Sequence, residues 1–526
     1  MTSQLRYPLP KQDSMRRWRE RLLELVPLET DSPEQYRIHY YDSFDWRLFR
    51  AGKAFTWEQR DGDSRCSLYS LGGANTATSI PLPEAPPRFA ADLPAGRLRE
   101  RLNGLLAPRA LLPVASVEVR SQCLRLSNKE GKTLARLFLE QHKLIRPDDS
   151  KRVLDKQIRL VPLRGYRKAA TRISTQLQKR LGLEAADPDL LNRALAALGR
   201  KPAGYSSRLD IPLEPEMRAD AALRRVLLHL LDTMEMNEAG TIQDLDSEFL
   251  HDFRVAVRRT RSALSQMKAV FPPATRERYR KEFAWLGDIT SPTRDLDVYL
   301  LKFKDYQTQL PDKLREDLQP LHDFLRRHQR EEQNRLSATL QGAHYRRLKR
   351  SWRRYLSAPL PRRPGARDAD KPIAEVARRR TWRMYKRVMR EGQAITTASP
   401  PPELHELRKS CKKLRYLIEF FQALFPRDEI RKLTKELKAL QDNLGDFQDL
   451  DVQTHTLRQF SAQMREEDTM TAPAELAMQT LLEALQSRML EVRGDFEARF
   501  THFSRKTNNQ RFKRLYNLDP EPAVLP

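Results

Sequence analysis

Apolar positions follow two rhythms along this chain. Up to about residue 165 they come in short runs rich in Val, Tyr, Trp and Phe, as in HYYDSFDWRLFRAGKAFTWEQR and ASVEVRSQCLRLSNKEGKTLARLFLEQHKL. Turn residues interrupt both runs, at Arg60-Asp61-Gly62-Asp63 and at Asn128-Lys129-Glu130-Gly131. The pattern predicts strands joined by hairpins, with Pro81 to Pro87 as a loop. From Tyr166 the spacing turns helical, through YRKAATRISTQLQKRLG and then LLNRALAALG, which ends on the helix-stopping Gly199. Lys201 to Met217, with several prolines, reads as a linker. From Ala221 to about Tyr516 amphipathic helical segments alternate with breaks at Phe271-Pro272-Pro273, Ser291-Pro292, Leu310-Pro311, Pro359 to Gly365 and Pro400 to Pro402.

The helical part repeats itself. LHDFRVAVRRTR begins at Leu250 and LHELRKSCKKLR at Leu404, an offset of 154 residues. The same offset carries Phe271-Pro272 onto Phe425-Pro426 and Lys281-Glu282 onto Lys435-Glu436. It then carries Asp288 onto Asp442 and Asp295-Leu296-Asp297-Val298 onto Asp449-Leu450-Asp451-Val452. An ungapped register of this length is a duplicated folding unit. It predicts two similar bundles of roughly four helices, over about 218–360 and 372–516.

On a helix turning 100° per residue, His251, Arg254, Arg258 and Arg261 fall within an arc of about 80°, with Arg259 beside it. Phe253, Val257 and Leu264 form a separate apolar stripe. The second copy repeats the arrangement with His405, Arg408, Lys412 and Arg415, Lys413 beside them, and Leu407, Cys411 and Ile418 on the apolar side. Each helix thus offers a cationic track roughly 15 Å long. Like charges at this spacing repel, so carboxylates of the protein or a bound polyanion should offset the repulsion. A charge stripe is also what an ordinary solvated face looks like, and each histidine could equally be a structural cap. Asp295, Asp297, Asp449 and Asp451 read as partners of the arginines or as helix caps. Tyr345 to Arg350, Trp352 to Tyr355 and Arg378 to Arg383 add further basic helix surface. Its aromatics could suit nucleic-acid bases or could simply be core.

Composition sharpens this picture. Lys and Arg number 96 against 70 Asp and Glu, a net charge of +26, in a chain of 526 residues long enough for two or three domains. Such a surplus points to a polyanionic partner. Three scattered cysteines provide no disulfide framework and fit a reducing compartment. The first residues have no apolar signal segment, and no apolar run approaches a membrane span. The expectation is a cytoplasmic protein with no membrane partner. No metal-ligand spacing, Gly-rich phosphate loop or nucleophile elbow is present, so no cofactor and no catalytic residue is assigned.

HDFRVAVRRTR and HELRKSCKKLRY, with ITSPTRDLDV and NLGDFQDLDV, resemble the paired motifs of CHAD domains, α-helical domains named for their histidines. The resemblance covers about 218–516. It implies two pseudo-twofold-related four-helix bundles around a basic groove or pore that binds inorganic polyphosphate, and polyphosphate granules as the place where such a protein would sit. Residues 1–200 resemble more distantly the CYTH, or triphosphate tunnel, fold, through Tyr40-Tyr41-Asp42-Ser43 and Arg47-Leu48-Phe49-Arg50-Ala51-Gly52. Three stretches depart from it. The start reads Gln4-Leu5-Arg6-Tyr7-Pro8 in place of alternating Glu-x-Glu-x-Lys. Phe55-Thr56-Trp57-Glu58 stands where basic strand residues are expected. Ile158 to Arg164 stands where an acidic strand would close the barrel.

The fold expected is therefore an α+β domain, a divergent antiparallel β-barrel or tunnel, over 1–200, a linker over 201–217, and an all-α CHAD-like domain over 218–516. The function expected is non-catalytic polyphosphate binding through His251, Arg254, Arg258, Arg259, Arg261, His405, Arg408, Lys412, Lys413 and Arg415. Two alternatives stay open: a metal-dependent triphosphatase or polyphosphatase in the N-terminal domain, and a general binder of nucleic acid or other polyanions.

Overall fold

The computed structural model of the chain describes residues 5–72, 77–128, 130–163, 165–186 and 189–518. Gln4, Lys129 and Arg164, named above, lie outside the described residues. The chain forms two units, Met1–Ser206 and Ser207–Pro526.

Among the described residues, the alternating, β-branched and aromatic runs of the first unit become nine strands: β1 Leu5–Leu9, β2 Glu29–Thr30, β3 Glu34–Asp42, β4 Lys53–Gln59, β5 Arg65–Ser70, β6 Thr78–Pro81, β7 Leu112–Ser127, β8 Thr133–Ile145 and β9 Lys151–Pro162. They pair antiparallel in the order β1-β9-β8-β7-β3-β4-β5-β6, with β2 on β7. The hairpins β4–β5 and β7–β8 turn at the two loops named from sequence. The α-helices α1 Met15–Leu25, α2 Arg47–Arg50, α3 Arg97–Leu106, α4 Arg167–Leu181 and α5 Leu190–Ala197 accompany the sheet.

Period-two alternation sorts the strand residues onto two faces. One face packs Leu124, Leu137 and Ile158 against Trp18 and Leu22 of α1 and Ile173 and Leu177 of α4. On the β4–β5 side, Phe55 and Leu68 lie against Leu98 and Leu102 of α3. The opposite face carries Tyr36, Tyr40, Val117, Val119 and Leu144, and Leu191, Ala194 and Leu195 of α5 cover it.

The second unit is helical throughout. Its first copy contains α6 Ala219–Ile242, α7 Ser247–Gln266, α8 Pro273–Ile289, α9 Ser291–Gln309, α10 Gln319–Leu340 and a closing α11 Ala343–Ser357. The second contains α12 Ile373–Ala394, α13 Pro401–Phe420, α14 Arg427–Glu466, α15 Ala472–Gly494, α16 Phe496–Phe503 and α17 Lys506–Tyr516. The 40-residue α14 runs straight through the position where α8 and α9 are separated by Thr290. The cause is one residue. Pro292 has no N–H to continue the helical ladder, whereas its equivalent under the 154 offset, Asp446, has one.

The two copies share a core. Phe253, Val257 and Leu264 of α7 join Leu407, Cys411 and Ile418 of α13 in one buried cluster. A second cluster gathers Tyr299, Phe303 and Tyr306 of α9 with Leu457 of α14 and Leu481 of α15. Because the apolar stripes of α7 and α13 are both consumed in the shared core, their cationic stripes are held in a fixed relation to each other.

Candidate functional site

The first signature helix is set by its cap. Asp246 Oδ1 accepts the backbone N–H groups of Glu248 (3.0 Å) and Phe249 (3.2 Å), so α7 starts just ahead of His251. Arg294 of α9 donates to Ser247 O and to His251 Nδ1, both at 3.1 Å. An arginine can only donate, so Nδ1 is the acceptor. In the second copy His405 Nδ1 meets Gln448 Oε1, and Gln448 stands where the 154 offset places Arg294. Both histidines therefore tie their signature helix to the helix carrying the second motif.

Arg254 is half-buried and donates to Gly287 O (3.1 Å) and Thr290 Oγ1 (2.7 Å). Burial pushes it down to about 10, with Asp295 opposing and Arg258, Arg294 and Arg261 reinforcing the shift. Arg261 is exposed and lies against Gly287, where an added Cβ would be 2.5 Å from its Nη1. The equivalents in the second copy reach the same place by other means. Arg408 donates to Asp449 Oδ1 (3.1 Å), and Arg415 to Gln441 Oε1 (3.2 Å), Gln441 being the counterpart of Gly287.

Arg258 is where the two tracks meet. It is exposed and makes no ion pair among the described residues. Its charge acts on Arg254 and Arg294 of its own copy and on Arg408 and Lys412 of the other. Lys412 is pushed down to about 8, first by burial, then by Arg408 and Arg258, against the attraction of Asp449. Burial likewise lowers Arg408 and Arg294. Five cations from both copies thus crowd one locus, with Asp449 as the carboxylate bonded there.

The flanking cations go elsewhere. Arg259, only 11% exposed, donates to Ser207 O (2.8 Å) and Glu419 Oε2 (2.9 Å), so it bridges the copies as a structural ion pair. Glu419 also takes Arg415 Nε at 2.8 Å. Lys413 sits under the influence of Arg387, Glu406 and Glu391, away from Arg258. Among the motif aspartates, Asp449 pairs with Arg408 while Asp297 is buried and accepts from Gln329 Nε2 (3.2 Å). Burial and Asp244 raise Asp297 to about 7. Arg294 belongs to the locus and was passed over in the sequence reading, which looked only at the aspartates beside it. Its signal was a basic residue inside the second motif, at a fixed distance from the histidine.

The lowered Lys412 has a testable consequence. Its folded value lies below the ordinary 10.5, so the unfolded chain binds more protons between about pH 8 and 10.5. Stability of the free protein should therefore rise with pH across that window, while anion affinity falls as the ammonium is lost. Thermal melts and binding titrations from pH 7 to 10 should move in opposite directions, and Lys412→Arg should flatten both profiles.

Buried carboxylates, Glu118, Glu140 and Asp155 among them, stand on the sheet of the first unit. Arg159 donates to Glu140 Oε1 through Nε (2.8 Å) and Nη2 (2.6 Å), and Gln157 donates to Oε2 (2.7 Å). Glu118 is bonded by Lys151. Beside Glu140, His142 Nδ1 meets Asp155 Oδ1 at 2.6 Å, and Arg193 of α5 pairs with Asp155 at 2.6 Å. A hard divalent cation needs carboxylate oxygens that are free to ligate. Here the basic partners already occupy them, so these residues do not fit the Mg²⁺ site that triphosphate hydrolysis in a tunnel fold uses.

Residues 225–458 match the family model of the CHAD domain. This segment is a CHAD domain. An uncharacterized protein of Mycobacterium tuberculosis is 27% identical over 303 residues, 54% of this chain and 56% of its own length. The chain thus spans little more than half of the curated relative it matches. The CHAD domain of the plant Ricinus communis is 24% identical, with a TM-score of 0.47, over 56% of this chain and 95% of that one. A Hippeastrum adenylyl-cyclase-type protein with dominant triphosphatase activity is 13% identical, with a TM-score of 0.29, over 39% of this chain and all of that one. Among the described residues, no helix is long and apolar enough to cross a membrane.

Proposed function

We propose that the CHAD domain binds inorganic polyphosphate along the track formed by α7 and α13, with residues 218–516 as the binding domain. One observation carries the reading: Arg258 of one copy lies unpaired among Arg254, Arg294, Arg408 and Lys412 of both copies. Packing five cations together with fewer carboxylates, Asp449 and Asp295, to balance them raises the energy of the free protein, and a linear polyanion recovers it. Guanidinium forks suit phosphate oxygens, and repetition along a helix suits a repeating ligand. Phe253 of α7 and Phe420 of α13 are buried in the core, and Tyr416, half-buried beside Arg408, packs against it, which favours a ligand without bases over nucleic acid. Arg254, Arg258, Arg261, Arg294, Arg408 and Lys412 would contact phosphate, His251 and His405 would hold the helices that carry them, and Arg259 and Lys413 would stand aside. The first unit is proposed to be non-catalytic because its buried carboxylates are engaged by Arg159 and Lys151. In a cell, such a protein would attach to polyphosphate granules.

The test is binding of long-chain polyphosphate to the full chain, with single-stranded RNA of equal charge as competitor and a turnover assay in Mg²⁺ or Mn²⁺ alongside. Tight binding that RNA does not displace, falling steeply with salt and without phosphate release, is the expected result. Equal competition by RNA would replace the reading with a general polyanion binder. Phosphate release would return activity to the first unit.

A further inference from the structure

A second cationic surface lies apart from the signature helices, on α11. Outside its buried face this helix is basic, yet its two flanks are treated differently. On one flank Arg353 pairs with Asp232 (2.6 Å) and Glu235 (2.7 Å) of α6, and Lys349 pairs with Glu238. On the other flank Arg347, Arg350 and Arg354 are exposed and make no ion pair among the described residues. They fall at i, i+3 and i+7, one face of a helix, and span about 10 Å along it. Arg278 of α8, also exposed and unpaired there, stands across from them. Together they line an open groove of about 530 Å³.

The groove is built on a rigid floor. His344 stacks flat on Trp285, with ring centres 4.2 Å apart and planes at 3°, and its Nε2 meets Glu282 at 2.7 Å. Beneath, Trp352 packs on Tyr279 at 4.2 Å and on Phe283 at 5.6 Å. Tyr345, Leu348, Trp352 and Leu356 of α11 are all buried. Tyr345 and Trp352, interleaved with the arginines, therefore face the core, while His344, half-exposed at the groove, is held flat on Trp285. What remains on the surface is a cluster of guanidinium forks converging from two helices, with Glu282 committed to His344.

We propose that this groove is a second anion site, which takes a short oligophosphate, whether free or as a stretch of a longer chain. Four unpaired arginines match the charge density of linked phosphoryl groups, and their forks match the oxygen geometry. The groove's length limits the ligand to a short one. This site rests on its own observations and does not need the track on α7 and α13.

The experiment is calorimetric titration of the full chain with inorganic tripolyphosphate, repeated with Arg347→Ala/Arg350→Ala and with Arg258→Ala/Lys412→Ala. All four residues lie on or near the surface, and circular dichroism with a thermal melt confirms that each variant is folded. Two equivalents are expected for the wild type and one for the α11 variant, with affinity at the lost site weakened at least tenfold. Arg347→Lys/Arg350→Lys should restore part of it. Unchanged stoichiometry and affinity in the α11 variant would overturn the proposal. So would loss of RNA binding with tripolyphosphate binding intact, which would make the groove a nucleic-acid surface. If the Arg258/Lys412 variant instead left tripolyphosphate and long chains bound as before, the central track would fail while the α11 site stood. A long-chain titration of the α11 variant separates the two sources of the ligand: loss of tripolyphosphate alone assigns the groove to free oligophosphate, and a parallel loss of long-chain affinity assigns it also to a segment of the polymer.

Discussion

Arg258→Glu is expected to weaken long-chain polyphosphate binding by about 100-fold or more at moderate salt, a change of roughly 3 kcal/mol, while leaving the fold intact. Arg258 is exposed and pairs with no carboxylate among the described residues, so its removal breaks no stabilising contact. It even relieves repulsion on Arg254, Arg294, Arg408 and Lys412. Reversal does more than delete one cation, because the new carboxylate would pair with those neighbours and compete directly with phosphate. The slope of log affinity against log salt should become shallower by roughly the two charges lost, since each phosphate no longer neutralised releases fewer counterions. Arg259→Ala is the contrasting control. Its guanidinium holds Glu419 and Ser207 O, so stability should fall while affinity barely moves. If Arg259→Ala weakened binding as much as Arg258→Glu did, the assignment of the track would be wrong.

That contrast marks where sequence stopped being informative. Arg258 and Arg259 are neighbours in sequence, and a helical wheel says which face each occupies but not what stands opposite. The partner that pulls Arg259 away, Glu419, belongs to the other copy and is 160 residues distant in the chain. By contrast, the copies and the stripes were legible, because a 154-residue register and a 3.6-residue period are both local arithmetic, whereas the joining of the two apolar stripes in one core was not. The break at Pro292 was legible for the same reason, although the uninterrupted α14 required asking what stands in Pro292's place. Arg294 could have been found from spacing alone, yet its role needed the distance to His251. In the first unit the alternation gave strands. It could not give the packing of α5 over Tyr36, Tyr40 and Val119. Glu118 and Glu140 are hidden in long mixed strands, on β7 and β8, whereas the missing acidic strand is expected from sequence at Ile158 to Arg164. Their basic partners are set by strand register, which places Arg159 opposite Phe138 and diagonal to Glu140.

Arg159→Met should destabilise the first unit by about 3–5 kcal/mol, the usual penalty for removing one partner of a buried ion pair. The Arg159 guanidinium carbon lies 4.1 Å from the centroid of the Phe138 ring, a cation–π contact that methionine would replace with a sulfur–aromatic one. What is lost is both bonds to Glu140, a carboxylate only 3% exposed. The pH dependence should change sign. In the wild type Arg159 holds the Glu140 carboxyl below its ordinary value of 4.5 against the opposing effect of burial. Its contribution to stability is therefore present above that value and fades as pH falls through the lower folded one. Without Arg159, burial dominates and the folded value rises above 4.5. The variant's deficit should then be largest near neutral pH and shrink on acidification toward pH 5, as Glu140 takes up a proton. Calorimetric melts of the full chain from pH 5 to 8 would show this, and Arg159→Met/Glu140→Met should recover most of the loss. A deficit under about 1 kcal/mol with no pH dependence would mean that Glu140 is solvated. The face under α5 would then be open to a divalent cation, and the case for a non-catalytic first unit would lose its physical basis.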